Sequence, residues 1–106
     1  LWHENASVYM KKLIDDNFRF IISSVSTDGL DNTWLGKEIT FDNLKILEDL
    51  SKKFKFNLNF EGGEAETFVI NCPIFQNKVK ITKSKKKWDG YRGRFEILEA
   101  ELENNA

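Results

Sequence analysis

A chain of 106 residues has room for one domain of ordinary size. Its 16 basic and 17 acidic side chains leave a net charge of -1, which gives no global attraction to nucleic acid or to an anionic membrane. One proline, six glycines and 41% hydrophobic residues exclude a low-complexity chain, and no apolar run reaches the ~20 residues of a membrane span. The single Cys72 excludes an internal disulfide and fits a reducing, cytoplasmic setting.

Taken in chain order, Asn5 is placed to cap a helix over about 6–17. Ala6, Met10, Leu13 and Ile14 fall on one face of it, and Asn17 is its stop. Residues 18–25 predict a strand whose apolar side chains on both parities suit burial on both faces. A connection punctuated by Gly29 and Gly36 follows. Thr40 then caps a second helix over about 41–54, with Phe41, Leu44, Leu47, Leu50 and Phe54 as its apolar face.

Phe56, Leu58 and Phe60 alternate with asparagines and predict a half-buried strand over 56–60. Strand, helix and strand across 18–60 predict a right-handed parallel crossover. Residues 67–70 predict a short strand ended by Pro73. The last third predicts one long hairpin, with arms over 78–88 and 94–103 and a turn over 89–93. Lysines of the first arm face glutamates of the second, and a parity change at Leu98 predicts a bulge. The expected fold is a single α+β domain over 1–106, with two helices packed on a small mixed sheet and a long C-terminal hairpin.

Two segments have the composition of a site. In Glu61-Gly62-Gly63-Glu64-Ala65-Glu66-Thr67, the glycine pair permits positive φ and close approach of a ligand to the backbone, and three carboxylates stand ready for cationic groups. The bland alternative is a glycine turn whose acids face water. In Gly29-Leu30-Asp31-Asn32-Thr33-Trp34-Leu35-Gly36-Lys37, Trp34 offers a ring to wall a pocket, and Asp31 and Lys37 offer charges to orient a ligand. The bland alternative is an apolar plug over a sheet end, with Asp31 in a local turn bond.

Neither a histidine triad nor a zinc site fits a chain whose only histidine is His3. The run of lysines over 78–87, with Trp88, Tyr91, Arg92 and Arg94, is similar to a nucleic-acid surface, but the acidic arm that follows neutralises its field. A solvated hairpin is the expected reading, and nucleic acid is not an expected partner.

These two segments resemble signatures of the diphthine–ammonia ligases, an N-type ATP pyrophosphatase family. The first resembles that family's Glu-Gly-Gly-Glu-aromatic-Glu-Thr run, with Ala65 in place of the aromatic, and Cys72-Pro73-Ile74-Phe75 resembles the Pro-hydrophobic-Phe run after it. The second is similar to Gly-Leu-Asp-Glu-Ser-Trp-Leu-Gly-Arg, with Lys37 for the arginine fork. Leu1-Trp2 resembles the end of a Pro-Leu-Trp segment at the junction of the family's two halves.

The family's nucleotide-binding half opens with a Ser-Gly-Gly-Lys-Asp-Ser phosphate loop, and no such run occurs here. The resemblance therefore implies the C-terminal, substrate-side part of a cytoplasmic ligase, inactive alone. It implies an N-terminal half that holds ATP and magnesium outside this chain, and none bound by this chain itself. The implied reaction adenylylates the carboxylate of diphthine on translation elongation factor two, and ammonia then displaces AMP to give diphthamide. The substrate-binding residues it implies are Glu61, Gly62, Gly63, Glu64, Glu66, Thr67, Gly29, Asp31, Trp34 and Lys37. They are expected on one rim of the sheet, with Glu64 and Glu66 toward cationic groups. No catalytic residue and no metal ligand is implied. The alternative function is a non-catalytic α+β module that docks protein or RNA.

Overall fold

The computed structural model of the chain describes residues 2–58, 60 and 63–104, and for 2–6 the backbone alone. Helix α1 spans Trp2–Asp15, strand β1 Arg19–Ser26, helix α2 Phe41–Phe54, strand β2 Ala65–Asn71, strand β3 Asn77–Trp88 and strand β4 Arg92–Asn104. A single 3₁₀ turn, Asn32–Trp34, lies between β1 and α2. The strands form one sheet in the order β2-β1-β4-β3, and every pairing is antiparallel. The α+β class and the long hairpin are as expected, whereas the sheet is antiparallel and not mixed.

Helix α1 starts earlier than Asn5, at Trp2, so Asn5 lies inside it. Its end follows the sequence. Asn17 takes φ 69°, the Phe18 N–H reaches back to Leu13 C=O at 2.9 Å, and the Asn17 N–H reaches Ile14 C=O at 3.0 Å. This six-to-one and five-to-two closure satisfies the last carbonyls of a helix. Helix α2 begins at the Thr40 cap, whose hydroxyl accepts the Asn43 N–H at 3.2 Å. Leu44 and Leu47 are wholly buried, while Phe41 and Phe54 at its two ends stay half-exposed. Together with Met10, Ile22, Val25, Leu30, Trp34 and Leu35 they make the core between the helices and one face of the sheet.

No strand forms over the described residues of 56–60, and the parallel crossover is absent; Asn59 lies outside the described residues. Both edges of β1 are already taken. One edge pairs with β2. The other pairs with β4 over Ser24–Ser26, and then with residues 36–39, through the Ile22 N–H on Lys37 C=O at 3.0 Å and the Ile39 N–H on Phe20 C=O at 2.9 Å. Phe56 and Leu58 still point inward and are buried, but their backbone makes local bonds. The Phe60 N–H donates to Asn57 C=O at 3.0 Å, and Phe60 takes φ 58°.

The hairpin carries the predicted bulge. Ile81 pairs with Ala100, Lys83 with Glu99 and Ser84 with Ile97, so Thr82 and Leu98 are each an extra residue. Because the two offsets compensate, Lys78, Lys80, Lys83 and Lys85 stay on one face, opposite Glu103, Glu101, Glu99 and Glu96.

Candidate functional site

Segment 29–37 is laced to the body. Gly29 has φ 96° and lies against the Phe54 side chain, and Gly36 has φ 80° and lies against the Phe95 ring. Asp31 accepts the Thr33 N–H at 3.0 Å and also the Thr33 hydroxyl, which starts the 3₁₀ turn. The Thr33 hydroxyl, with help from the Thr33 N–H and the charge of Lys37, holds the Asp31 carboxyl below its usual range. Leu30, Trp34 and Leu35 are buried in the core. Trp34 therefore walls no open pocket. Its outer contact is Lys37, whose Nζ sits 4.7 Å from the ring centroid.

Segment 61–67 is arranged differently. Glu61 and Gly62 lie outside the described residues. Gly63 has φ 80° and open space where a side chain would stand. The Glu64 C=O accepts the Ser26 N–H at 2.8 Å, and its Oε2 accepts the Asn57 N–H at 2.9 Å. Its Oε1 is shut away from solvent with no hydrogen-bond partner among the described residues. Ala65 is buried opposite Val25, so this position belongs to the core and offers no stacking surface. Glu66 is exposed and pairs with Ser24. Thr67 pairs with Ile22 and faces an apolar hollow of about 350 Å³ between α1 and β2, lined also by Tyr9, Phe18 and Phe60.

Both segments lie near the carboxyl end of β1, and they line two different hollows where one shared pocket was expected. Antiparallel β2 starts beside Ser26, and the chain leaving β1 turns there into Gly29. Gly63 and Glu66 line a polar hollow of about 530 Å³ with Ser24, Ser26, Lys87, Arg92 and Arg94. Gly29 and Asp31 line a second hollow of about 410 Å³ with Lys53 and Tyr91. Trp88, at the end of β3, borders both.

The turn beside Trp88 is held by Asp89, whose Oδ1 accepts the Arg92 N–H at 2.7 Å and the Tyr91 N–H at 2.9 Å. Those two bonds, the Arg92 N–H first, keep the Asp89 carboxyl below its usual range. Gly93 packs against Leu35, Trp88 and the Lys87 C=O so closely that a Cβ there would stand 2.7 Å from Leu35.

Arg92 and Arg94 were not among the expected site residues. The signal for them was present in the hairpin arithmetic, which sets Lys87 opposite Arg94 where the preceding pairs set lysine opposite glutamate. Among the described residues, no three His, Cys, Asp or Glu side chains converge as metal ligands, and no helix is long and apolar enough to cross a membrane. Cys72 is free and buried.

Residues 5–102 match the family model described as the diphthamide synthase C-terminal domain. The chain belongs to that family. It is 38% identical over 85 residues to the diphthine–ammonia ligase of Mus musculus and 37% identical over 86 residues to that of Homo sapiens. Each of these alignments covers 79% of this chain and 32% of the relative. The Schizosaccharomyces pombe diphthine–ammonia ligase is 32% identical over 82 residues, which are 77% of this chain and 13% of that protein. The chain thus spans about a third of the length of the mammalian relatives it matches.

Proposed function

We propose that this chain is the substrate-facing domain of a cytoplasmic ligase that amidates diphthine on translation elongation factor two. The observation that carries the reading is the polar hollow. The family-like segment 61–67 puts its open glycine, Gly63, and its exposed acid, Glu66, on that hollow, beside two arginines. The resemblance puts ATP and magnesium outside this chain, whose sequence has no phosphate-loop run. They are assigned to a nucleotide-binding half, which supplies the adenylylation of the carboxylate.

This chain's own residues bind and orient. Glu66 faces the trimethylammonium of diphthine across the hollow, and Gly63 lets the ligand approach the backbone. Glu64 acts one step back. Its two bonds tie residues 57 and 26 to the loop that carries Gly63, so it positions that loop. Trp34 and Asp31 support the fold, and their contribution to the substrate is indirect.

The test is a chimera in which this chain replaces the matching segment of the mouse diphthine–ammonia ligase. Given ATP, ammonium and elongation factor carrying diphthine, the chimera converts the carboxylate to the amide, read by mass spectrometry of the tryptic peptide. A folded chimera that leaves the carboxylate intact overturns the proposal.

A further inference from the structure

The charged face of the hairpin follows a rule and breaks it once. Four successive pairs on that face, Lys78/Glu103, Lys80/Glu101, Lys83/Glu99 and Lys85/Glu96, set opposite charges across the strands. At the fifth, Lys87 stands opposite Arg94. Like charges placed directly opposite destabilise a sheet. Lys87 turns to Glu96, its Nζ at 2.9 Å, and the Glu96 charge, on which Lys85 and Arg94 also act, is shared among three cations. Arg92, opposite Ser26 on that face, adds a further cation, offset in part by the Asp89 carboxylate on the same hollow. A local rule broken at one place, and at the place that borders an open hollow, is the pattern expected of a site kept for a ligand.

The register says which ligand. Ser24 of β1 pairs with Glu66 on one side and with Arg94 on the other. Glu66, Ser24, Arg94 and Lys87 therefore form one continuous row across all four strands, on the face opposite the core. Glu66 and Arg94 are two strand spacings apart, roughly 10 Å at Cα. Both side chains are long and exposed, so they can close from opposite sides on a small molecule seated over Ser24.

We infer that Arg94, assisted by Arg92, is a carboxylate-binding residue, and that the row binds a zwitterion, its carboxylate on the guanidinium and its quaternary ammonium on Glu66. A guanidinium offers a planar fork that matches a carboxylate with two parallel bonds. This deepens the reading of the hollow given above and rests on it. It adds that recognition requires both charges of the ligand at once, and that Arg94 supplies the half of the site that the 61–67 segment lacks.

The test is titration of the isotope-labelled 106-residue chain, followed by two-dimensional NMR, with three probes: acetate, tetramethylammonium and glycine betaine. Betaine is expected to shift the amides of Ser24, Gly63 and Gly93 and to saturate at about a tenfold lower concentration than either single-charge probe. Arg94→Gln should weaken betaine and acetate about tenfold and leave tetramethylammonium unchanged. Glu66→Gln should do the converse. Dispersed amide spectra of both variants establish that they are folded. Betaine binding no tighter than acetate, or unchanged by Arg94→Gln, overturns the inference. Amidation by the chimera with no betaine preference removes this inference alone. Betaine binding by the row, with no amidation by a folded chimera, removes the ligase reading and keeps the zwitterion site.

Discussion

Segments 29–37 and 61–67 carry the family resemblance side by side, and the fold uses them in opposite ways. The first turns its large side chains inward, with Trp34 6% exposed and Leu35 2%. Its polar groups are spent on its own turn and on the edge of β1. Among its described residues, the second buries only Ala65, uses Glu64 as a tie, and leaves Gly63 and Glu66 on an open hollow. A tryptophan between two glycines and glutamates beside a glycine pair are equally good site candidates as text. Burial separates them: a side chain that fills the core is unavailable to a ligand, while an exposed acid adds little to folding.

The largest expected effect comes from breaking the inward segment. Trp34→Ala should cost about 3–5 kcal/mol, since it empties a bulky core position, and a denaturant titration would read it as a lower midpoint. Removal of Trp34 with no change in midpoint would return this ring to the hollow.

The glycines sharpen the same contrast. Gly36 and Gly63 have the same φ of 80°, but a Cβ at Gly36 would stand 2.6 Å from the Phe95 ring, whereas at Gly63 no described residue beyond its chain neighbours comes within 4 Å. Gly63→Ala should cost only the backbone strain, about 1 kcal/mol. Gly36→Ala should cost about 1–3 kcal/mol more, because a packed ring must shift. Thermal unfolding of the two variants measures the difference directly.

A third change should act in the opposite direction. Arg94→Glu restores the charge rule of the hairpin opposite Lys87, and should raise stability by about 0.2–1 kcal/mol while abolishing carboxylate binding. A destabilised Arg94→Glu chain would mean that the attraction of the arginine to Glu96 outweighs its repulsion by Lys87.

The smallest effect is on acid stability. The Asp31 carboxyl is held below its usual range by Thr33, so the folded state binds that proton less readily than the unfolded chain does. Its contribution is present above about pH 4 and is lost as pH falls through the lowered folded value. Thr33→Val removes the largest cause of the shift. The variant should therefore be slightly less stable than the parent at neutral pH, and the two curves should converge as pH falls through the lowered folded value.

How much of this was legible depended on whether a feature is local. Helix α2 and its Thr40 cap, the Asn17 stop and the hairpin with its Leu98 bulge all follow from short-range pattern, and they came out within a residue or two. The strand expected over 56–60 failed because alternation shows which side chains are buried, not whether the backbone has a partner. Phe56 and Leu58 are buried, yet β1 has no free edge to offer them. Trp34 was ambiguous for the same reason, since its role depends on what stands across from it. Arg94 was visible, but its meaning appears only when the registers of β1 and β4 are read together.

The most direct test of the central claim compares amidation and stability in one variant. In the chimera with the mouse ligase, Glu66→Gln should lower kcat/KM for diphthine amidation by about tenfold or more, while the unfolding midpoint stays within about 2 °C of the unsubstituted chimera. Full activity, or an activity loss matched by an equal loss of stability, would contradict the assignment of this hollow to the substrate.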